Sequence, residues 1–94
     1  MNYHFEWDSV KAESNVKKHG VRFEEAIEVF NDALHLSMAD DACDEEERWI
    51  TLGQSKKSLC LVVHTFVLHQ GNHVNIRIIS ARRASKHERR QYEE

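Results

Sequence analysis

Residues 59–81 read LCLVVHTFVLHQGNHVNIRIISA, and this stretch decides the fold. From Leu59 to Leu68 both alternating sets are apolar. Leu59, Leu61, Val63, Thr65 and Val67 fall on one side, and Cys60, Val62, His64, Phe66 and Leu68 on the other. A strand covered on both faces has this pattern, so a central strand is expected here. Gly71 lies inside His69–Asn72 and lets the chain turn. From His73 to Ala81, Val74, Ile76 and Ile78 alternate with Asn75, Arg77 and Ile79, which predicts a second long strand. Two such runs joined by four residues form an antiparallel hairpin. Upstream, Arg48–Leu52 is a further strand followed by a polar turn over Gly53–Ser58, and Ala33–Met38 is a short strand leading into an acidic loop. Downstream, Ser85 and Glu88 have capping-box spacing, so a helix should span Lys86–Tyr92, polar nearly all round.

The N-terminal third adds a strand and two helices. Tyr3, Phe5 and Trp7 share one side of a strand over Asn2–Trp7. Asp8 can then cap a helix from Ser9 to His19 that Gly20 closes. Phe23, Ala26, Ile27 and Phe30 fall at i, i+3, i+4 and i+7, the apolar stripe of a second helix ending near Asn31 and Asp32. The order β-α-α-β-β-β-β-α predicts an α+β fold. It comprises an antiparallel sheet of four to five strands, two N-terminal helices and a C-terminal helix, with the helices on one face. Ninety-four residues with no proline and three scattered glycines leave no linker, so one domain spans residues 1–94. No apolar run approaches the roughly 18 residues of a membrane span. The start MNYHFEWD lacks the basic and apolar segments of a secretory signal, so a cytoplasmic protein is expected. Cys60 reads as core filler and Cys43 as an exposed thiol, with no CxxC pair.

Charge is divided along the chain. Residues 24–47 carry ten acids and no Lys or Arg, whereas residues 71–90 carry Arg77, Arg82, Arg83, Lys86, Arg89 and Arg90 against Glu88 alone. The acidic run lacks the alternating ligands and glycine of a calcium loop, and reads as a solvated loop. Seven histidines invite a metal site, but His64, His69 and His73 show no three-ligand spacing and no HExxH occurs, so neither metal nor cofactor is expected. The basic end is the more specific signal: rigidly held guanidinium groups suit phosphate. Cleaving RNA without a metal takes a base for the 2′-OH, cations for the phosphorane and an acid for the 5′-oxygen. Arg77 and Arg82 are the candidate cations. Glu88 and Tyr92, at i and i+4 on the last helix, and His19, at the end of the first, are acid/base candidates. Lys18, Arg48, Arg83, Lys86 and Arg89 are the candidate RNA contacts.

FEWD near the start, then NVKKHGVRFEEAIEVFND, ERWITLG and above all IRIISARRASKHERRQYEE, together resemble the BrnT toxins, from about Phe5 to Glu93. The resemblance implies a RelE-like fold and a small cytoplasmic endoribonuclease that inhibits translation. Its implied partner is a BrnA-type antitoxin with a ribbon-helix-helix domain, in a 2:2 hetero-oligomer that reaches operator DNA only through the antitoxin and represses its own operon. By motif position Arg77, Arg82, Glu88, Arg89 and Tyr92 fall in the C-terminal signature, Lys18 and His19 in the KHG element, and Arg48 and Trp49 in the ERW strand. The acidic loop Asp40–Glu47 departs from a ribonuclease's usual charge. It leaves room for a rival reading, a non-catalytic module that docks a basic antitoxin with weak or no RNase activity.

Overall fold

A computed structural model describes residues 2–41 and 46–94. Chain order is β1 (Asn2–Glu6), α1 (Ser9–His19), α2 (Phe23–Ala26) continued by a 3₁₀ turn (Ile27–Asn31), β2 (Leu36–Asp40), β3 (Arg48–Gln54), β4 (Leu59–His64), β5 (Val67–His69), β6 (His73–Arg83) and α3 (Lys86–Glu93). The six strands form one sheet in the order β1-β6-β4-β3-β2, and β5 pairs with β6 beyond the end of β4. All pairings are antiparallel except β1 with β6. The fold is α+β, as the pattern predicted, and β4 lies at the middle of the sheet.

The local signals hold at three helix ends. The Asp8 carboxylate accepts the N–H groups of Val10 (2.8 Å) and Lys11 (3.2 Å). Gly20 closes α1 at φ 71°, a backbone conformation only glycine adopts without strain. Ser85 and Glu88 form the complete capping box of α3.

One face of the sheet carries the core. Val62 and Cys60 of β4 and Val74, Ile76, Ile78 and Ala81 of β6 pack against Val21, Phe23, Ala26 and Val29. Cys60 is fully buried, as core filler should be; Cys43 and residues 42–45 of the acidic loop lie outside the described residues. Where β1 ends, buried Asn15 of α1 takes its place beside β6. Its amide donates to the carbonyls of Val21 (2.9 Å) and Ala81 (2.8 Å), and its oxygen accepts the Ala81 N–H (3.1 Å).

Several boundaries differ from expectation, for identifiable reasons. The run Leu59–Leu68 breaks into β4 and β5 at Thr65 and Phe66. The pairing of β4 with β6 slips by one residue there, from Val63↔Ser80 to His64↔Ile78. The Thr65 hydroxyl then accepts the Arg77 N–H (3.0 Å), doing the work of a ladder carbonyl. The second helix tightens to 3₁₀ after one turn because Val29 must sit directly on β3. A Cβ at Gly53 would lie 2.8 Å from Val29 Cβ, so only glycine permits that approach. Gly53 is therefore a strand residue rather than the start of a turn. The short strand lies three residues later than expected, at Leu36–Asp40, and β1 ends at Glu6. Finally, the helices do not share one face. Arg82 pairs with Leu61, on the side of the sheet away from Val62, and that side receives α3 through Glu88.

Candidate functional site

The one-residue slip in β6 has a consequence for the basic residues. Ile79 is the extra residue, so Ile78 and Ala81 both face the core while Arg77 and Arg82 both emerge on the outer face. Five residues of extended chain still place them about 15 Å apart. They therefore belong to two centres, not to one cluster.

The first centre is built around Arg77. Its backbone is fixed by reciprocal bonds with Thr65, whose N–H donates to the Arg77 carbonyl at 3.0 Å. Its Nη2 donates to both oxygens of Glu46 (2.7 and 2.8 Å), and Arg48 Nε donates to Glu46 Oε1 (3.3 Å). The Arg77 hydrogen bonds, helped by Arg48, hold the Glu46 carboxyl below its usual range. Arg77 and Glu46 line a concavity of about 250 Å³ that also contains His69 and Asn75. The Asn75 side-chain amide meets His69 Nε2 (3.1 Å), which fixes the ring. A guanidinium, a carboxylate and an imidazole thus share one surface hollow. Neither Glu46 nor His69 stood out as catalytic in the sequence. Glu46 is one acid among many in its run, and His69 looked like a turn residue.

The second centre ties α3 to the body. Arg82 donates Nη1 and Nη2 to the two oxygens of Glu88 (2.8 Å each), and Glu88 also accepts the Ser85 N–H (2.8 Å). The Arg82 hydrogen bonds bring the Glu88 carboxyl down to about 2, so it carries no proton to give near neutrality. One turn on, Tyr92 Oη donates to Asp32 Oδ2 (2.5 Å). Burial opposes ionisation of Asp32, but this phenol and the N–H groups of Gln54 and Leu34 outweigh it, and the carboxyl stays below its usual range. The bond to Asp32 raises Tyr92 in turn. Glu88 and Tyr92 do share one side of α3, as their spacing predicted, but that side faces the protein and acts as a clasp. Arg83, Lys86 and Arg89 are exposed around this end. Lys18 and His19 are exposed in the last turn of α1, the helix that packs on the core side through Asn15, so they do not converge with Arg77.

A third feature adjoins the first centre. Tyr3, Phe30, Trp49 and Phe66 wall a cleft of about 310 Å³ whose polar groups are His35, Ser37 and His64. His64 is buried and neutral-leaning, because burial lowers its proton affinity. Its Nδ1 meets the Thr65 carbonyl (2.8 Å), its Nε2 meets the Thr51 hydroxyl (2.7 Å), and Thr51 meets Ser37 (2.7 Å). Among the described residues no three His, Cys, Asp or Glu side chains are arranged to hold a metal ion. No helix among them is long and apolar enough to cross a membrane.

No curated protein matches the chain in sequence. The family model for BrnT, the ribonuclease toxin of type II toxin–antitoxin systems, matches residues 7–88. That span runs from Trp7 through strands β2 to β6 to the Glu88 clasp, and with it the chain belongs to the BrnT ribonuclease toxin family.

Proposed function

We propose that the chain is an endoribonuclease that cleaves RNA through its own 2′-OH, with the Arg77 hollow as the active site. The observation that carries this reading is the meeting of Arg77, Glu46 and His69 in one concavity. The Glu46 carboxylate takes the 2′-OH proton as that oxygen attacks phosphorus. Arg77, with Arg48, stabilises the phosphorane dianion, and His69 gives a proton to the departing 5′-oxygen as the P–O5′ bond breaks. The step leaves a 2′,3′-cyclic phosphate and a 5′-hydroxyl, and uses side chains only. Arg82, with Glu88 and Tyr92, holds the helix whose exposed Arg89 and Lys86 extend the phosphate-binding surface. Arg83 at the end of β6, and Lys18 with His19 at the end of α1, are peripheral.

Family membership brings an antitoxin partner. A BrnA-type ribbon-helix-helix protein in a 2:2 complex, operon repression through it, translation arrest and a cytoplasmic setting complete the proposal. The rival reading, a docking module without catalysis, draws on one observation: Glu46 already occupies both guanidinium groups. Product chemistry separates the two. The purified chain incubated with RNA in EDTA should yield 2′,3′-cyclic phosphate ends, and Arg77→Ala should lower the rate about 10²–10³-fold with its melting temperature retained. Products bearing 5′-phosphates, or full activity in a folded Arg77→Ala variant, exclude the proposed chemistry. No cleavage by the wild type under any condition supports the docking module.

A further inference from the structure

The aromatic cleft beside Arg77 has no part in the chemistry just proposed. Its position suggests one. Phe66 is a wall shared by the cleft and the Arg77 hollow, and Trp49 is shared with the neighbouring hollow that holds Arg48. The aromatic slot therefore shares one wall with each of two hollows that hold a guanidinium group. Phosphate on the arginines and a base between the rings is the arrangement by which single-stranded nucleic acid is held. At about 310 Å³ the cleft has room for one nucleobase. Trp49 and Phe66 stand 6.4 Å apart at 59°, so Trp49 keeps a ring face that Phe66 does not stack upon.

The hydrogen bonds around the cleft fix what it offers a ligand. The Thr65 carbonyl can only accept, so His64 Nδ1 carries the proton and Nε2 must accept from the Thr51 hydroxyl. Thr51, its proton used, accepts from Ser37, and Ser37 Oγ is left with acceptor lone pairs. The Asp32 carbonyl likewise places a His35 proton on Nδ1 (2.8 Å), so that with one proton on the ring Nε2 is left to accept. Both groups that can address a ligand are acceptors. Guanine carries two adjacent donors on its Watson–Crick edge, N1–H and the 2-amino group. Adenine and cytosine set an acceptor beside their amino group, and uracil flanks its single N–H with two acceptors. An acceptor facing an acceptor leaves both unsatisfied.

We infer that this cleft is the pocket for one unstacked base of the RNA substrate, with guanine as its preferred occupant. The inference rests on the ribonuclease reading and adds sequence preference to it. The test uses 2′-O-methyl RNA hexamers, which cannot be cleaved: all-uridine, or uridine with one central guanine, adenine or cytosine. Binding is read by anisotropy of a labelled 5′ end. The guanine hexamer should bind the full chain about tenfold more tightly than the uridine one. Trp49→Ala should weaken the guanine hexamer about tenfold and bring the four hexamers close together. Ser37→Ala, a change on an exposed edge strand, should erase much of the guanine preference while the stacking contribution remains. Arg77→Ala should weaken all four alike and flatten their salt dependence. Equal binding of the four hexamers by a wild type that still cleaves RNA overturns the pocket and leaves the ribonuclease. Binding of no hexamer, with no cleavage, overturns both. Preference for another base, or a guanine preference undiminished in both folded Trp49→Ala and Ser37→Ala, overturns the assignment. So does a Trp49→Ala variant that loses antitoxin capture while every hexamer affinity is unchanged, because the occupant is then a side chain of the antitoxin.

Discussion

Asn15 is nearly fully buried at 5% exposure, yet every polar atom of its amide is used: two carbonyls accept from it and one N–H donates to it. Removing the amide strands the Ala81 N–H and two carbonyls in the interior, and each such orphan costs on the order of 1–3 kcal/mol. Asn15→Ala should therefore lower stability by about 3 kcal/mol or more in urea titration, and Asn15→Asp, which cannot donate, should not rescue it. A loss under 1 kcal/mol would mean that water reaches β6 at this point. Glu88 makes a different prediction. Its carboxyl lies at about 2 in the folded chain against an ordinary 4.5, chiefly through Arg82. A depressed acid stabilises the fold above its unfolded pKa, and that contribution disappears as pH falls from about 4.5 toward 2. Glu88→Gln should accordingly show a shallower fall in melting temperature between pH 5 and pH 3 than the wild type. Glu46 and Asp32, both also lowered, keep the slope from vanishing. Parallel acid limbs in the two proteins would place Glu88 in solvent.

At the scale of elements, the tight 3₁₀ segment depends on one missing side chain. Gly53→Ala would set a Cβ 2.8 Å from Val29 Cβ and 3.0 Å from its carbonyl oxygen, so β3 or the 3₁₀ turn must move. The expected cost is about 1–3 kcal/mol in chemical denaturation, and a neutral effect would show that the turn slides freely on the sheet. The same contact explains what could be read from the sequence. Asp8, Gly20 and the Ser85–Glu88 box act on atoms within four residues, so their outcome was legible locally. The break at Thr65–Phe66 and the role of Gly53 depend on β6 and Val29, partners distant in sequence, and no periodicity announces them. The candidate site divides likewise. Arg77 was legible as a polar position in an apolar strand, whereas its companions Glu46 and His69 come from other segments. Glu88 and Tyr92 were correctly put on one helix side, but the direction of that side was set by Asp32, sixty residues from Tyr92. This clasp is testable: Tyr92→Phe should loosen α3, seen as faster amide exchange over Lys86–Glu93, with the protection of β4 unchanged.

Across the whole molecule, the outer face of the sheet carries apolar rows that α3 does not finish covering. Cross-strand partners run Leu36–Leu52–Leu61 and Met38–Ile50–Val63, from β2 toward β6. Leu52 is buried, but at the β2 end Leu36 is 40% and Met38 51% exposed. Among the described residues β2 also closes the sheet on that side, so its outer N–H and C=O groups offer a template for another strand. An apolar row beside an open strand edge is the kind of surface a partner covers, and the family supplies a partner, the antitoxin. Met38→Glu should weaken capture of the cognate antitoxin by about tenfold or more, measured by titration calorimetry, with little change in melting temperature because the site is exposed. Val10 is the control: it is 72% exposed on α1, remote from this edge, and Val10→Glu should leave capture intact. RNA cleavage by Met38→Glu should persist, since Arg77 and Glu46 are untouched. Equal weakening by both variants would mean that the antitoxin responds to overall charge. No weakening by Met38→Glu would move the docking surface elsewhere, with the arginine-rich end of β6 and α3 as the next place to mutate.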